Sequence, residues 1–87
     1  MSVEIRMPQL GMMMVEGTVV RWLVEDGASV EKGEGLLEIE SDKVIQTITA
    51  PAGGVVKQIT TAGQVVPALE VLGYVLSGNE STTIGNS

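Results

Sequence analysis

Apolar and polar residues alternate along this chain in short bursts, and no stretch keeps a helical period for three turns. The bursts fall at Val3–Met7, Thr18–Val24, Leu36–Glu40, Val44–Thr49, Val55–Thr60 and Leu72–Ser77, with shorter ones near Ser29–Val30 and Gln64–Val66. Each is rich in Val, Ile, Leu or Thr and fits a period of two, the pattern of a strand with one buried face. Turn signals separate them: Asp26-Gly27, Lys32-Gly33, Ser41-Asp42, Pro51 with Gly53-Gly54, and Ala62-Gly63. Eight short strands at this spacing predict an all-β domain, a flattened barrel or sandwich.

The pattern repeats. Shifted by 36 positions, GTVVRWLVEDGASVEKGEGLLEIES (17–41) lies over GGVVKQITTAGQVVPALEVLGYVLS (53–77) without a gap. Eight of 25 positions are identical: Gly17/Gly53, Val19/Val55, Val20/Val56, Gly27/Gly63, Val30/Val66, Glu34/Glu70, Leu36/Leu72 and Ser41/Ser77. Ordinary composition gives roughly two by chance. A duplicated unit implies two halves related by an approximate two-fold axis, each covering the other's apolar face. The repeat then divides the chain into a domain at residues 1–77 and a small, polar segment at 78–87 (GNESTTIGNS), expected to be a flexible tail or the start of a linker.

The two copies differ in two places. Ser77 is followed by Gly78-Asn79, but Ser41 is followed by Asp42-Lys43. Pro51 leads almost directly into Gly53, whereas Pro8 is separated from Gly17 by an inserted loop, Gln9–Glu16 (QLGMMMVE). If Asp42 and Lys43 are the central residues of a tight turn, Ser41 faces Val44, Ile39 pairs with Gln46, and Leu37 with Ile48. Leu37, Ile39 and Ile48 then point inward, as does Gln46, which would need a hydrogen-bond partner. Glu38, Glu40, Ile45 and Thr47 point outward, and Lys43 stands at the apex in water.

Composition narrows the chemistry. The chain has 87 residues, one small domain with a stability on the order of 5–10 kcal/mol. It has no Cys and no His, which removes thiol nucleophiles, thiolate metal sites and the commonest general base. A net charge of −6 argues against nucleic-acid binding, and no apolar run is long enough to span a membrane. MSVEIRMP carries neither a signal-peptide core nor a transit-peptide composition, so a cytoplasmic protein, or the mature form of an organellar one, is expected. Lys43 is a poor candidate for catalysis, because Asp42 and Glu40 favour its ammonium form and a nucleophilic lysine works as the free amine. Two readings remain from the residues alone: a solvated surface lysine, or an amine presented at a fixed point for another enzyme to acylate.

The stretches MPQLGMMMVEGTVVRW, EDGASVEKGEGLLEIESDKV and APAGGVVKQITTAGQVV, together spanning about residues 3–77, resemble the lipoyl domains of 2-oxo acid dehydrogenase complexes. These are the swinging-arm modules of the dihydrolipoyl acyltransferase (E2) component. The resemblance implies two four-stranded antiparallel sheets with the modified lysine on one hairpin, here Lys43 in Glu40-Ser41-Asp42-Lys43-Val44. It implies covalent lipoate attached by a lipoate–protein ligase. Further implied partners are a thiamine-diphosphate-dependent E1, the E2 catalytic core and a dihydrolipoamide dehydrogenase (E3). On this reading Asp42, Ser41, Glu40 and Val44 shape the turn and are read by the ligase. The loop Gln9, Leu10, Gly11, Met12, Met13, Met14, Val15 and Glu16 lies beside the lysine and contacts E1, with some of the thioethers tucked under the barrel. Trp22, Pro8 and Pro51 are structural, Gly27 and Gly33 turn residues. The isolated domain is expected to be a monomeric carrier that catalyses nothing by itself. Pro8-Gln9-Leu10-Gly11 looks more like pyruvate or acetoin dehydrogenase domains than the Pro-Asp-Ile-Gly-Glu of many 2-oxoglutarate types, and Pro67-Ala68-Leu69 departs from a commoner Val-Gly turn. The alternatives are a biotinyl carrier, whose lysine usually sits between two methionines, and an unmodified interaction module of the same fold.

Overall fold

The computed structural model describes residues 2–77; the segment expected as a tail, 78–87, lies outside them. Eight strands follow in order: β1 (Ser2–Arg6), β2 (Glu16–Trp22), β3 (Ser29–Val30), β4 (Gly35–Ser41), β5 (Val44–Thr49), β6 (Gly54–Gln58), β7 (Val65–Pro67) and β8 (Val71–Leu76). All eight expected strands are present, with ends moved by one or two residues. One shift changes a reading. Glu16, expected in the inserted loop, opens β2 because it pairs with Pro67 of β7.

The strands form two four-stranded antiparallel sheets, ordered β1-β8-β6-β3 and β5-β4-β2-β7. The short strands are exchanged. β3, from the first repeat, pairs with β6 of the second, and β7, from the second, pairs with β2 of the first. Neither half can therefore close its sheet without the other.

Backbone hydrogen bonds repeat with the same symmetry. Gly63 N donates to Val19 O (2.7 Å) and Val19 N to Gln64 O (2.8 Å); in the other half Gly27 N donates to Val56 O (2.7 Å) and Val56 N to Ala28 O (2.9 Å). Val19 is thus the structural mate of Val56, not of Val55 as the gap-free alignment has it. The extra residue is Val20, which the β2–β4 register passes over between Val19↔Ile39 and Arg21↔Glu38. A β-bulge absorbs one residue without disturbing the rest of the repeat.

The core lies between the sheets and is built from repeat mates: Val30 with Val66, Leu36 with Leu72, Ile39 with Val75, joined by Ile5, Met7, Val19, Leu37, Ala50 and Val56. Strict alternation would leave Leu36 or Leu37 outside. Both are fully buried, because the β4–β5 register jumps from Gly35↔Thr49 to Leu37↔Ile48. The same device occurs at Leu72, which the β1–β8 register skips between Arg6↔Val71 and Ile5↔Gly73. Each fully buried leucine contributes about 1.5–3 kcal/mol relative to exposure. Trp22 is structural, as expected: its Nε1 donates to the carbonyl of buried Thr60 at 3.0 Å.

Candidate functional site: the lysine hairpin and its groove

β4 and β5 run antiparallel up to Ser41↔Val44, leaving Asp42 and Lys43 as the two central residues of the reversal. Both have positive φ, 53° and 67°, as a type I′ turn requires. That turn suits the right-handed twist of paired strands but favours Asn or Asp followed by Gly. Asp42 fits the preference. Lys43 does not, since a side chain in left-handed backbone costs roughly 1–2 kcal/mol. A lysine held where glycine is preferred is a local conflict of the kind found at functional positions.

The pairings Ile39↔Gln46 and Leu37↔Ile48 are present as expected. Leu37 and Ile39 are buried, Ile48 is half-buried, and Glu40, Ile45 and Thr47 are exposed. Glu38 is only half-buried and takes an ion pair from Arg21 Nε at 2.9 Å. Gln46 is a correction. It is exposed rather than inward and in need of a partner. Ile39 opposite it stays in the core, but beyond Ile48 the β5 strand borders a groove of about 810 Å³, lined by the run Leu10–Glu16 and by Ser41, Asp42, Val44 and Gln46.

The loop opposite is anchored at its base. Met14 N donates to Gly11 O (3.1 Å), Leu10 N to Met14 Sδ (3.1 Å) and Gln9 Nε2 to Met14 O (3.2 Å). Met14 is half-buried against the core, and Gly17 makes room for Met7 and, beside it, Met14. A Cβ on Gly17 would stand 2.7 Å from Met7 Sδ and 3.3 Å from Met14 Cε. Of the three consecutive thioethers, then, Met14 tucks under, while Met12 and Met13 are 95% and 89% exposed. Leu10 and Val15 are exposed as well, and Val15 O is held by Ala68 N at 2.9 Å. Ser41 Oγ donates a long bond, 3.4 Å, to Glu16 O, tying the hairpin to the first residue of β2, where the loop ends. Sequence reasoning gave Ser41 to turn shape and ligase contact and missed this link.

Lys43 is exposed and makes no hydrogen bond or ion pair among the described residues. The carboxylates of Asp42 and Glu40 stand near it in sequence without capturing it. An unengaged primary amine at the vertex of a paired hairpin fits covalent attachment of an acyl group through an amide. Metal chemistry lacks a comparable arrangement: among the described residues no three His, Cys, Asp or Glu side chains cluster. No helix among them is long and apolar enough to cross a membrane.

Comparison with known proteins bears on this geometry. A family model described as biotin-requiring enzyme, covering biotin- and lipoyl-attachment domains, matches residues 3–75. The chain is 40% identical over 76 residues to the dihydrolipoyllysine-residue succinyltransferase component of the 2-oxoglutarate dehydrogenase complex of Bacillus subtilis. It is 39% identical over 72 residues to the acetyltransferase component of the acetoin cleaving system of Cupriavidus necator. Over 59 residues it is 42% identical to the acetyltransferase component of the pyruvate dehydrogenase complex of Zymomonas mobilis. These alignments cover 86%, 82% and 68% of this chain but only 18%, 19% and 13% of the relatives' lengths. Among solved structures, the lipoyl domain of the 2-oxoglutarate dehydrogenase complex of Azotobacter vinelandii superimposes with a TM-score of 0.74 at 31% identity, covering 88% of this chain and 99% of that one. The chain therefore belongs to the biotin/lipoyl attachment family, as a homologue of the lipoyl domains of 2-oxo acid dehydrogenase acyltransferase components.

Proposed function

We propose that this domain is a lipoyl carrier whose Lys43 holds lipoate in amide linkage, and that it moves acyl groups and electrons between the active sites of a 2-oxo acid dehydrogenase complex. The observation that carries the reading is Lys43 itself: exposed, unengaged, and kept at φ 67° on the vertex of a type I′ hairpin. Once attached, the group supplies a dithiolane that can accept an acyl unit and two electrons. The chain's own residues do the rest. Acylation converts the Lys43 ammonium to a neutral amide, leaving an uncharged arm. The β4–β5 ladder fixes the base of that arm, so its reach is set by the arm and not by a wandering loop. Tethering keeps its effective concentration at each partner's site in the millimolar range.

The proposed partners are a lipoate–protein ligase reading Glu40–Val44, a thiamine-diphosphate-dependent E1 touching the loop at Met12 and Met13, an acyltransferase core (E2) and a flavoprotein E3. The domain is on this reading a carrier rather than a catalyst, and a cytoplasmic setting suits it. Pro8-Gln9-Leu10-Gly11 favours pyruvate or acetoin as the source of the acyl group, although the identities to relatives of 2-oxoglutarate, acetoin and pyruvate systems do not separate the three. A biotinyl carrier is the rival within the same family. The flanks of Lys43, Asp42 and Val44, are not the methionine pair usual around a biotinyl lysine.

Incubation with a lipoate–protein ligase, ATP and lipoate tests the reading. The intact mass is expected to rise by one lipoyl group, and Lys43→Arg to abolish the rise. A biotinyl adduct with biotin ligase, or no adduct with either, overturns it.

A further inference from the structure

We propose that the lipoylated Lys43 arm folds back into the groove beside it, so that the loaded domain shelters its own cargo instead of extending it into water. This rests on the carrier reading. The groove reaches the turn that carries the attachment point: Asp42 and Val44, on either side of the lysine, both line it, while Lys43 itself stands outside it. Val44 and Gln46 share one face of β5 by strand alternation, so the wall continues away from the lysine along the direction an arm would take.

The opposite wall is the most exposed apolar surface on the described chain. Leu10, Met12, Met13 and Val15 are 44%, 95%, 89% and 75% exposed within six residues. Apolar surface gathered this way calls for cover. Methionine suits an occupant of changing shape, because its unbranched thioether repacks around aliphatic chains and sulfur alike. The base of the loop is meanwhile held by the Met14 contacts and by Ser41 Oγ on Glu16 O.

Charge decides when the groove fills. Its ionisable lining residues are Glu16 and Asp42, and the remaining lining is uncharged. An ammonium at position 43 gains more from water than from thioethers. The amide form is neutral and carries an aliphatic chain, so acylation itself creates the ligand. Because that ligand is tethered, even weak contact populates the docked state.

The test uses the 87-residue chain labelled with 13C at its five methionine methyls, before and after enzymatic lipoylation verified by intact mass. Failure to load would refute the carrier reading and is seen at this first step. In the loaded sample the Met12 and Met13 methyls are expected to shift and to show nuclear Overhauser contacts with the arm's methylenes. Relaxation of those two methyls by a soluble paramagnetic probe should fall about 3-fold, the value for an arm docked roughly two-thirds of the time. The double variant Met12→Ser/Met13→Ser, changed at two exposed positions, should load normally and lose the contacts. Perturbations confined to Ser41–Ile45, with unchanged probe accessibility at Met12 and Met13, would overturn the inference. So would arm resonances identical in the parent and the double variant.

Discussion

Replacing Lys43 by alanine and by glycine separates what the side chain does from what the backbone demands. Both substitutions delete the amine, and neither breaks a contact, because Lys43 makes no hydrogen bond or ion pair among the described residues. They differ in the β-carbon. At an ordinary position glycine is less stable than alanine by about 0.5–1 kcal/mol, from the extra freedom of the unfolded chain. At φ 67° the β-carbon itself costs roughly 1–2 kcal/mol, which glycine avoids. The net expectation is that Lys43→Gly exceeds Lys43→Ala by about 0.5–1 kcal/mol, a reversal of the usual sign. In a domain of this size about 1 kcal/mol moves Tm by roughly 4–8 °C, so the difference is a few degrees. Urea unfolding followed by the fluorescence of Trp22, the single tryptophan, gives the same quantity at unchanged m-value. Lys43→Gly proving less stable than Lys43→Ala would mean that the apex is not left-handed, and the argument from strain would fail. With the expected sign, the parent sequence forgoes stability to keep an amine at this vertex.

Other consequences follow from the same structure. Leu69 occupies φ 74° where its repeat mate Gly33 has φ 91°; Leu69→Gly is therefore expected to stabilise the domain by about 0.5–1 kcal/mol in thermal unfolding. Trp22→Phe removes the donor to buried Thr60 O and should lower stability by about 1–3 kcal/mol in urea, whereas an unchanged midpoint would mean that the 3.0 Å bond contributes nothing. Replacing Met12 and Met13 by Ser should slow reductive acylation by the cognate E1 while leaving ligase kinetics alone; equal E1 rates would remove the loop from recognition.

Much of this was legible before the fold was known, and the reasons are local. Ser41-Asp42-Lys43-Val44 lies between two alternating segments, and two central residues are what the commonest hairpin turn takes. The pairing of Ile39 with Gln46 and Leu37 with Ile48 follows by counting. The repeat implied two symmetric halves with a shared core, so that mates such as Leu36 and Leu72 are buried together, while the two four-stranded sheets came from the family resemblance. Bulges defeated the counting elsewhere. Val20 adds a residue to β2, so a gap-free alignment misplaces Val19 by one, and Leu36 is buried beside Leu37 against the period of two. The groove was hidden because it depends on where the loop lies in space. Gln46 looked inward by alternation, yet it is exposed and lines the groove although its partner Ile39 is fully buried. A polar residue continuing the inner face beyond Ile48 was the available signal. The exchange of β3 and β7 left no trace in either segment, since two- and three-residue strands carry too little pattern to name their partners.

The most direct test of the account is the position of the lipoyl amide. The chain offers three lysines, Lys32, Lys43 and Lys57, and Lys32 also sits in a turn, beside Gly33. Fragmentation mass spectrometry of the ligase-treated protein should find the adduct on Lys43 and leave Lys32 and Lys57 unmodified. An adduct shared among the three, or placed on Lys32 or Lys57, would contradict the claim that the hairpin vertex is what the ligase reads.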